Sequence, residues 1–468
     1  MLYFIYNIML KKYDYIIVGS GPSSLTLAYH FSKMKKQCLI LERDNNIGGC
    51  HSVRRVDNYF SEHGPRVYSN AFVNFINILN DMNINFDDCF AIYKNNMNKD
   101  FEYFNNNTSI KEKMYLIISY IIFLIYPDYY KKISVKKYFK DFNKNIIFFI
   151  NRICIISDGM DYSKYSMYKL FNLLNQNFVY KLYQPKKSND NGFIKLWIDN
   201  LDKNYITIIN NSEVIELKTY NNIVLYAKTI NNNVYYAKRY ILCIPPKPMY
   251  KLLYQSNITN TFKDNFKNWV YNNSYNDYIS ITFYFNKKLI LNKKLDYPKT
   301  KNGLIYIILS NYFIDEDNTM ISTSLSILDD DIHKLNKDEL INETYKQLIF
   351  NIPELNNIIF DKAIVNPNVI KINDKWISLD TAFISTINDD YLKQESKDFN
   401  NLFNVGTQNN YNNYDFTTIE TAIINALFFI KKYHLDYKLN ILSSRDIRYD
   451  IYKIIFLFIV MFIIIMYY

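Results

Sequence analysis

The fold of this chain is decided by two stretches, DYIIVGSGPSSLTLAYHF at residues 14–31 and QCLILERDNNIGG at residues 37–49. A short apolar run ending at Val18 leads into Gly19-Ser20-Gly21-Pro22-Ser23-Ser24, and Leu25 to Phe31 then carry apolar residues at helical spacing. A second apolar run, Gln37 to Leu41, ends at Glu42, 23 positions beyond Gly19. Strand, glycine turn, helix, strand and acidic residue in that order form a dinucleotide-binding βαβ fingerprint, in which the acid is expected ~20 positions on. Gly19 allows the tight turn. Gly21 lets backbone approach a pyrophosphate at the N-terminus of the helix opened by Pro22, Ser23 and Ser24, where unpaired N–H groups favour anions. Ser24 stands at the third glycine position, and Glu42 is placed to accept hydrogen bonds from ribose hydroxyls.

The glycines sharpen this reading. The chain has nine in 468 residues, where ~7% usage would give roughly 33. Five of them (Gly19, Gly21, Gly48, Gly49 and Gly64) fall between positions 19 and 64. Against a background rich in Tyr, Phe, Asn, Ile and Lys, that cluster marks backbone that only glycine allows. The length is enough to bury a large core without disulfides or metals. Five scattered cysteines with no Cys-x-x-Cys pair, and five histidines with no ligand spacing, argue against a disulfide scaffold or a metal centre. They fit a reducing compartment. The net charge of +10 is spread along the chain without a dense arginine block, so no nucleic-acid partner is expected.

Glu42-Arg43 through Gly48-Gly49 resembles the segment after the second strand in FAD-dependent oxidoreductases of the amine oxidase and protoporphyrinogen oxidase superfamily. The resemblance implies that the glycine pair passes beside the cofactor phosphates. Cys50-His51 stand where an arginine is usual, with Arg54 and Arg55 close behind. Glu62-His63-Gly64-Pro65-Arg66 is similar to a stretch of protoporphyrinogen oxidases that runs near the flavin, and UDP-galactopyranose mutases have a related Gly-Pro stretch. Without the resemblance, His51 and His63 read as partly exposed loop histidines. Gly192 to Leu201, Ile206 to Leu217 and Tyr240 to Pro246 resemble the helix, strand-turn-strand and closing strand that follow. They imply a backbone contact between Val214 and adenine. Leu402 to Gly406, then a helix capped by Thr417 or Thr418, resembles the last cofactor motif, whose helix N-terminus faces the flavin pyrimidine. Thr407 replaces the Asp common after that glycine.

The implied fold is α/β, with a Rossmann-like FAD-binding domain (GR2-type) in residues 11–70, 191–254 and 396–437. It is interleaved with an α+β substrate domain in residues 71–190 and 255–395. The implied chemistry is hydride transfer from a C–N or C–C bond of a small-molecule substrate to non-covalently bound FAD. No motif places a catalytic base. Two other classes share the pattern: a non-redox flavoenzyme of the galactopyranose-mutase type, and a non-catalytic FAD-binding membrane protein.

In the substrate stretches, Tyr278–Tyr284, Leu304–Leu309 and Met320–Ile327 read as strands, and Asn336 caps a helix running to Phe350. The third strand alternates hydroxyl and apolar residues, which suits a sheet covered on one face. Met1–Leu10 reads as an extension before the first strand. Met114–Tyr126 is too short to span a bilayer and fits a buried or membrane-dipping helix, with the buried helix the favoured reading. Ile454–Tyr468 supplies fifteen uncharged apolar residues, eighteen from Ile451 if Lys453 snorkels, which as a helix covers ~27 Å. Residues 451–468 are therefore expected to be a single-pass C-terminal transmembrane anchor. Arg445, Arg448 and Lys453 would lie on the near side, with the enzyme body facing the cytosol.

Overall fold

The computed structural model describes residues 13–93, 97–158, 160–179, 181–291, 300–385, 390–411, 418–444 and 451–453. Met1–Leu10, Thr417 and the expected anchor from Ile454 onward lie outside them. Among the described residues no helix is long and apolar enough to cross a membrane. The chain divides into two compact units, one of Met1–Arg66, Asn74–Ala91 and Pro185–Ile441, the other of Val67–Val73, Ile92–Gln184 and Leu442–Tyr468.

The first unit opens with β1 (Tyr13–Val18), α1 (Pro22–Lys33), β2 (Cys38–Leu41), the hairpin β3 (Val53–Val56) and β4 (Tyr59–Glu62), and α2 (Val73–Asp81). It continues with β5 (Ile206–Ile209), β6 (Val214–Tyr220), β7 (Ile223–Thr229), β8 (Val234–Tyr235), β9 (Ala237–Leu242) and α3 (Pro246–Gln255). Then come β10 (Ile279–Phe285), β11 (Leu304–Ile308), β12 (Thr319–Leu325), α4 (Lys337–Asn351), β13 (Lys362–Val365), β14 (Leu402–Asn404) and α5 (Ile419–Tyr433).

β1 and β2 are continuous apolar runs because a parallel sheet is covered on both faces; Ile16, Ile17, Leu39 and Ile40 are fully buried. The parallel sheet has the order β14-β9-β1-β2-β5. Val18 lies opposite Leu41 and Leu242, Leu41 opposite Ile209, and Leu242 opposite Asn404. All five strands therefore end in one row. The loops that follow them emerge together at the carboxyl edge, where open α/β sheets bind ligands. β6, β7 and β8 form a small antiparallel meander beside it in sequence.

A second, antiparallel sheet has the order β11-β12-β10-β13. Its apolar face, with Ile279, Ile281, Phe283, Ile321 and Leu325, packs with Leu340 and Leu348 of α4. Asn336 and Glu339 close a capping box at the start of that helix. The one-sided sheet expected from the alternation is corrected here, since every residue of β12 is buried. The hydroxyl face is covered as well. Tyr284 Oη donates to Phe60 O at 2.6 Å, and Ser280 Oγ donates to His63 O. Both hydroxyls donate to passing backbone.

In the second unit, Met114–Tyr126 falls in the helix Ile110–Ile125, and its reading as a buried helix is corrected. Ser119, Phe123 and Leu124 are buried, whereas Ile117 is 53% and Ile125 77% exposed. The helix packs through one narrow face, so a sequence apolar all round must turn most of its side chains outward.

Candidate functional site

The first glycine turn is built for close approach. Gly19 has φ +94°, and a Cβ there would lie 2.8 Å from both Cys243 O and Ile244 Cγ2. Gly21 precedes α1 with no side-chain cap, and Pro22 at the first position brings no N–H. A Cβ on Gly21 would meet nothing within 4 Å. Open space thus stands before a helix N-terminus, the setting in which backbone N–H groups hold an anion. The second glycine pair seals the turn. Gly48 N donates to Ser20 O at 3.2 Å, and a Cβ on Gly49 would lie 3.0 Å from Gly21 Cα. Two glycine clusters separated in sequence thus stack backbone on backbone, leaving no room for a side chain between them.

Glu42 sits beside this turn, 6% exposed. Its Oε2 accepts from Ser20 Oγ at 2.5 Å and its Oε1 from Asp44 N at 2.9 Å. Burial raises its pKa, against the pull of those two donors. The two bonds fix the rotamer, and a carboxylate's ~4 lone-pair sites leave capacity for ligand hydroxyls. Val214 is buried at the start of β6, just after Ser212, whose N–H donates to Glu42 O at 2.7 Å. Arg43 turns elsewhere: its Nη2 donates to Asp380 Oδ1 at 3.1 Å and to Leu379 O at 3.2 Å. Arg54 completes that cluster, with Nη2 2.7 Å from Asp44 Oδ2 and Nη1 2.7 Å from Asp380 Oδ2. The ion pairs lock the 42–54 loop that carries Gly48 and Gly49.

Gly64, Pro65 and Arg66 close over the same loop. A Cβ on Gly64 would lie 2.8 Å from the Tyr278 ring and 2.9 Å from Ser324 Oγ, while Arg66 Nη2 donates to Cys50 O. The exposed-loop reading of His63 is corrected. The side chain is buried with its ring 5.5 Å from Tyr278, and burial lowers its pKa to about 4. His51 is partly exposed, and desolvation lowers its pKa too.

The other end of the site follows β14. Asn425 Nδ2 donates to Gly406 O at 2.7 Å and to Asn409 O at 2.8 Å, and Tyr411 N donates to Asn425 Oδ1 at 3.1 Å. Gly406 N donates to Asn409 Oδ1 at 3.0 Å. Thr418 caps α5, its Oγ1 accepting from Thr421 N at 3.1 Å. Glu420, fully buried, accepts from Asn74 N at 2.9 Å and Phe75 N at 2.8 Å at the start of α2. Burial still pushes its pKa up to about 7. Ser23 Oγ donates to Ala422 O at 3.0 Å, joining α1 to α5.

The structure thus brings Gly19, Gly21, Pro22, Ser23, Ser24, Glu42, Gly48, Gly49, Val214, Gly406 and Thr418 to the loops and helix starts at the carboxyl edge, with Gly64 to Arg66 tied to them through Cys50. Arg43 faces Asp380 instead. Sequence reading missed Ser20, Asp44, Asp380, Asn409, Asn425 and Glu420. The one available signal was the crowd of amides around Gly406 (Asn404, Gln408 and Asn409) in a chain short of glycine.

Residues 17–81, from β1 to the end of α2, match the family model of an NAD(P)-binding Rossmann-like domain. A putrescine oxidase solved with putrescine is 12% identical, with a TM-score of 0.62 over 90% of this chain and 98% of that one. The chain shares that enzyme's fold. An oxidoreductase from Methanosarcina mazei shares this fold at 11% identity and TM-score 0.59, over 89% of this chain and 99% of its own. A candidate protoporphyrinogen oxidase from Exiguobacterium sp. 255-15 does so at 12% identity and TM-score 0.59, over 90% and 99%. No curated protein matches the sequence.

Proposed function

We propose that this protein is an FAD-dependent oxidoreductase that removes a hydride from a C–N or C–C bond of a small-molecule substrate. The observation that carries the reading is the open space at Gly21, facing an uncapped helix start and sealed behind by Gly48 and Gly49. That space fits the pyrophosphate of a dinucleotide, and the superfamily fold favours FAD. Bound there, FAD supplies the hydride-accepting chemistry. The chain supplies the cradle. Backbone at Gly19, Gly21 and Gly48–Gly49 admits the phosphates, Glu42 holds a ribose, and the Thr418-capped start of α5 offers N–H groups to a developing negative charge. Burial raises the Cys50 thiol to about 11 and the Cys243 thiol well above its usual value. Neither is a ready thiolate, which supports non-covalent binding.

The test is the absorption spectrum of the purified protein. Flavin bands are expected, with FAD released intact on denaturation. A colourless protein that takes up no FAD on reconstitution overturns the reading. Amine turnover with hydrogen peroxide release, set against sugar-nucleotide isomerisation under reducing conditions, separates oxidase from mutase-like chemistry. Residues 451–468 complete the proposal as a single-pass anchor holding the enzyme body on the cytosolic side of a membrane. The support is the uncharged run from Ile454 to Tyr468. Deleting these residues should release the protein from carbonate-washed membranes.

A further inference from the structure

The helix Ile110–Ile125 is complete in itself and finished on one side. Ser109 and Glu112 close a capping box at its start, and Pro127 follows its last turn. Ser119, Phe123 and Leu124 are buried, with the Phe123 ring 5.0 Å from that of Phe171. The opposite face repeats Ile110, Met114, Ile117, Ile118, Ile121 and Ile125 at helical spacing, and each of them is at least 50% exposed. Soluble monomers rarely leave so continuous an apolar stripe uncovered. Sixteen residues in a helix reach ~24 Å, and one side is held by protein, so the stripe suits the plane of a bilayer surface and not a crossing.

Three observations name the occupant. Residues 92–184 carry fourteen Lys and Arg against seven Asp and Glu, an excess of +7 out of the chain's +10. Lys111, Lys132, Lys136 and Lys137 are exposed around the helix, which suits anionic headgroups. The same excess opposes a second copy, because an isologous contact would bring like charges together. Tyr126 and Tyr129, both more than half exposed, flank the end of the stripe as interfacial aromatics do. Finally, Tyr452 Oη donates to Leu124 O, which ties residues 451–453 to this same helix.

We propose that the outward face of the helix Ile110–Ile125 beds into the headgroup layer of an anionic membrane, a contact separate from any anchoring by residues 451–468. The probe is Ile121→Trp in the full-length protein, with Ile117→Trp as a second position. The three native tryptophans (Trp197, Trp269 and Trp376) are all buried, so quenching by brominated lipid should be weak in the unmodified protein. With vesicles of phosphatidylglycerol in phosphatidylcholine, the new tryptophan should shift to the blue and be quenched roughly threefold more than the native set. Neutral vesicles and high salt should both weaken the effect. A tryptophan that stays in water on anionic vesicles overturns the proposal. So does one that shifts with protein concentration in the absence of lipid, as a second copy would cause.

Discussion

Two strand-to-helix passages meet the same edge of the parallel sheet and are built by different means. After β1 the turn is held by backbone: Gly19, Gly48 and Gly49 all have positive φ, and a side chain on Gly19 or Gly49 would strike neighbouring main chain. After β14 the loop is held by buried amides, with Asn425 bridging Gly406, Asn409 and Tyr411. The difference separates two demands on a loop. Where two backbones or a ligand must approach, nothing replaces glycine. Where a loop needs only a fixed shape, an amide serves. The turns elsewhere agree: among the described residues, nine of the twelve non-glycine positions with positive φ are Asn, the side chain that best tolerates the left-handed region. Among the described residues, asparagine has taken most of the left-handed turns, while glycine keeps those at the cradle.

Gly19→Ala is the severest way to break this contrast. It combines a left-handed φ with contacts of 2.8 Å to main chain, and should cost ~3–5 kcal/mol and abolish FAD uptake. Calorimetry and flavin absorbance would read both. Asn425→Ala strips partners from two buried carbonyls and one N–H, for an expected loss of ~2–4 kcal/mol in denaturant unfolding. If it costs as little as a surface change, the amide-built loop is not what holds that end. The third prediction concerns pH. Glu420 has its folded pKa raised to about 7 from 4.5, so its contribution is full below about 4.5 and is lost as pH rises through about 7. Stability of the flavin-free protein should fall over that window by up to ~3 kcal/mol from this group, a slope that Glu420→Gln flattens. The smallest effect has the opposite sign. Ser24 is fully buried and its hydroxyl has no hydrogen-bond partner among the described residues, so Ser24→Ala should gain ~0.5–1 kcal/mol with FAD binding unchanged.

What was legible in the sequence was what the local backbone dictates. Gly19, Gly21 and Glu42 could be placed because strand, turn, helix and strand are contiguous and the spacing alone aligns them. The strands of the second sheet and the Asn336 cap were readable for the same reason. Arg43 was not, since its partner Asp380 lies 337 residues away and only tertiary structure brings the two together. Asn425 was hidden inside an apolar helix, where an amide looks like an interruption until the loop it holds is seen. The direction faced by Met114–Tyr126 escaped too, because a run apolar on every side has no period that points to a core.

On a ribosome, the same architecture sets an order of events. β1, α1 and β2 emerge within the first 41 residues, but the edge of β9 stays unpaired until β14 appears at Leu402–Asn404. Glu420, which caps the start of α2, is made 346 residues after Asn74. At ~5–20 residues per second the wait for Glu420 lasts on the order of 17–70 s, and the apolar edge of β9 stays open for about 8–32 s of it. A chain released before Thr418 could carry every glycine of the fingerprint and still lack the helix that closes the site.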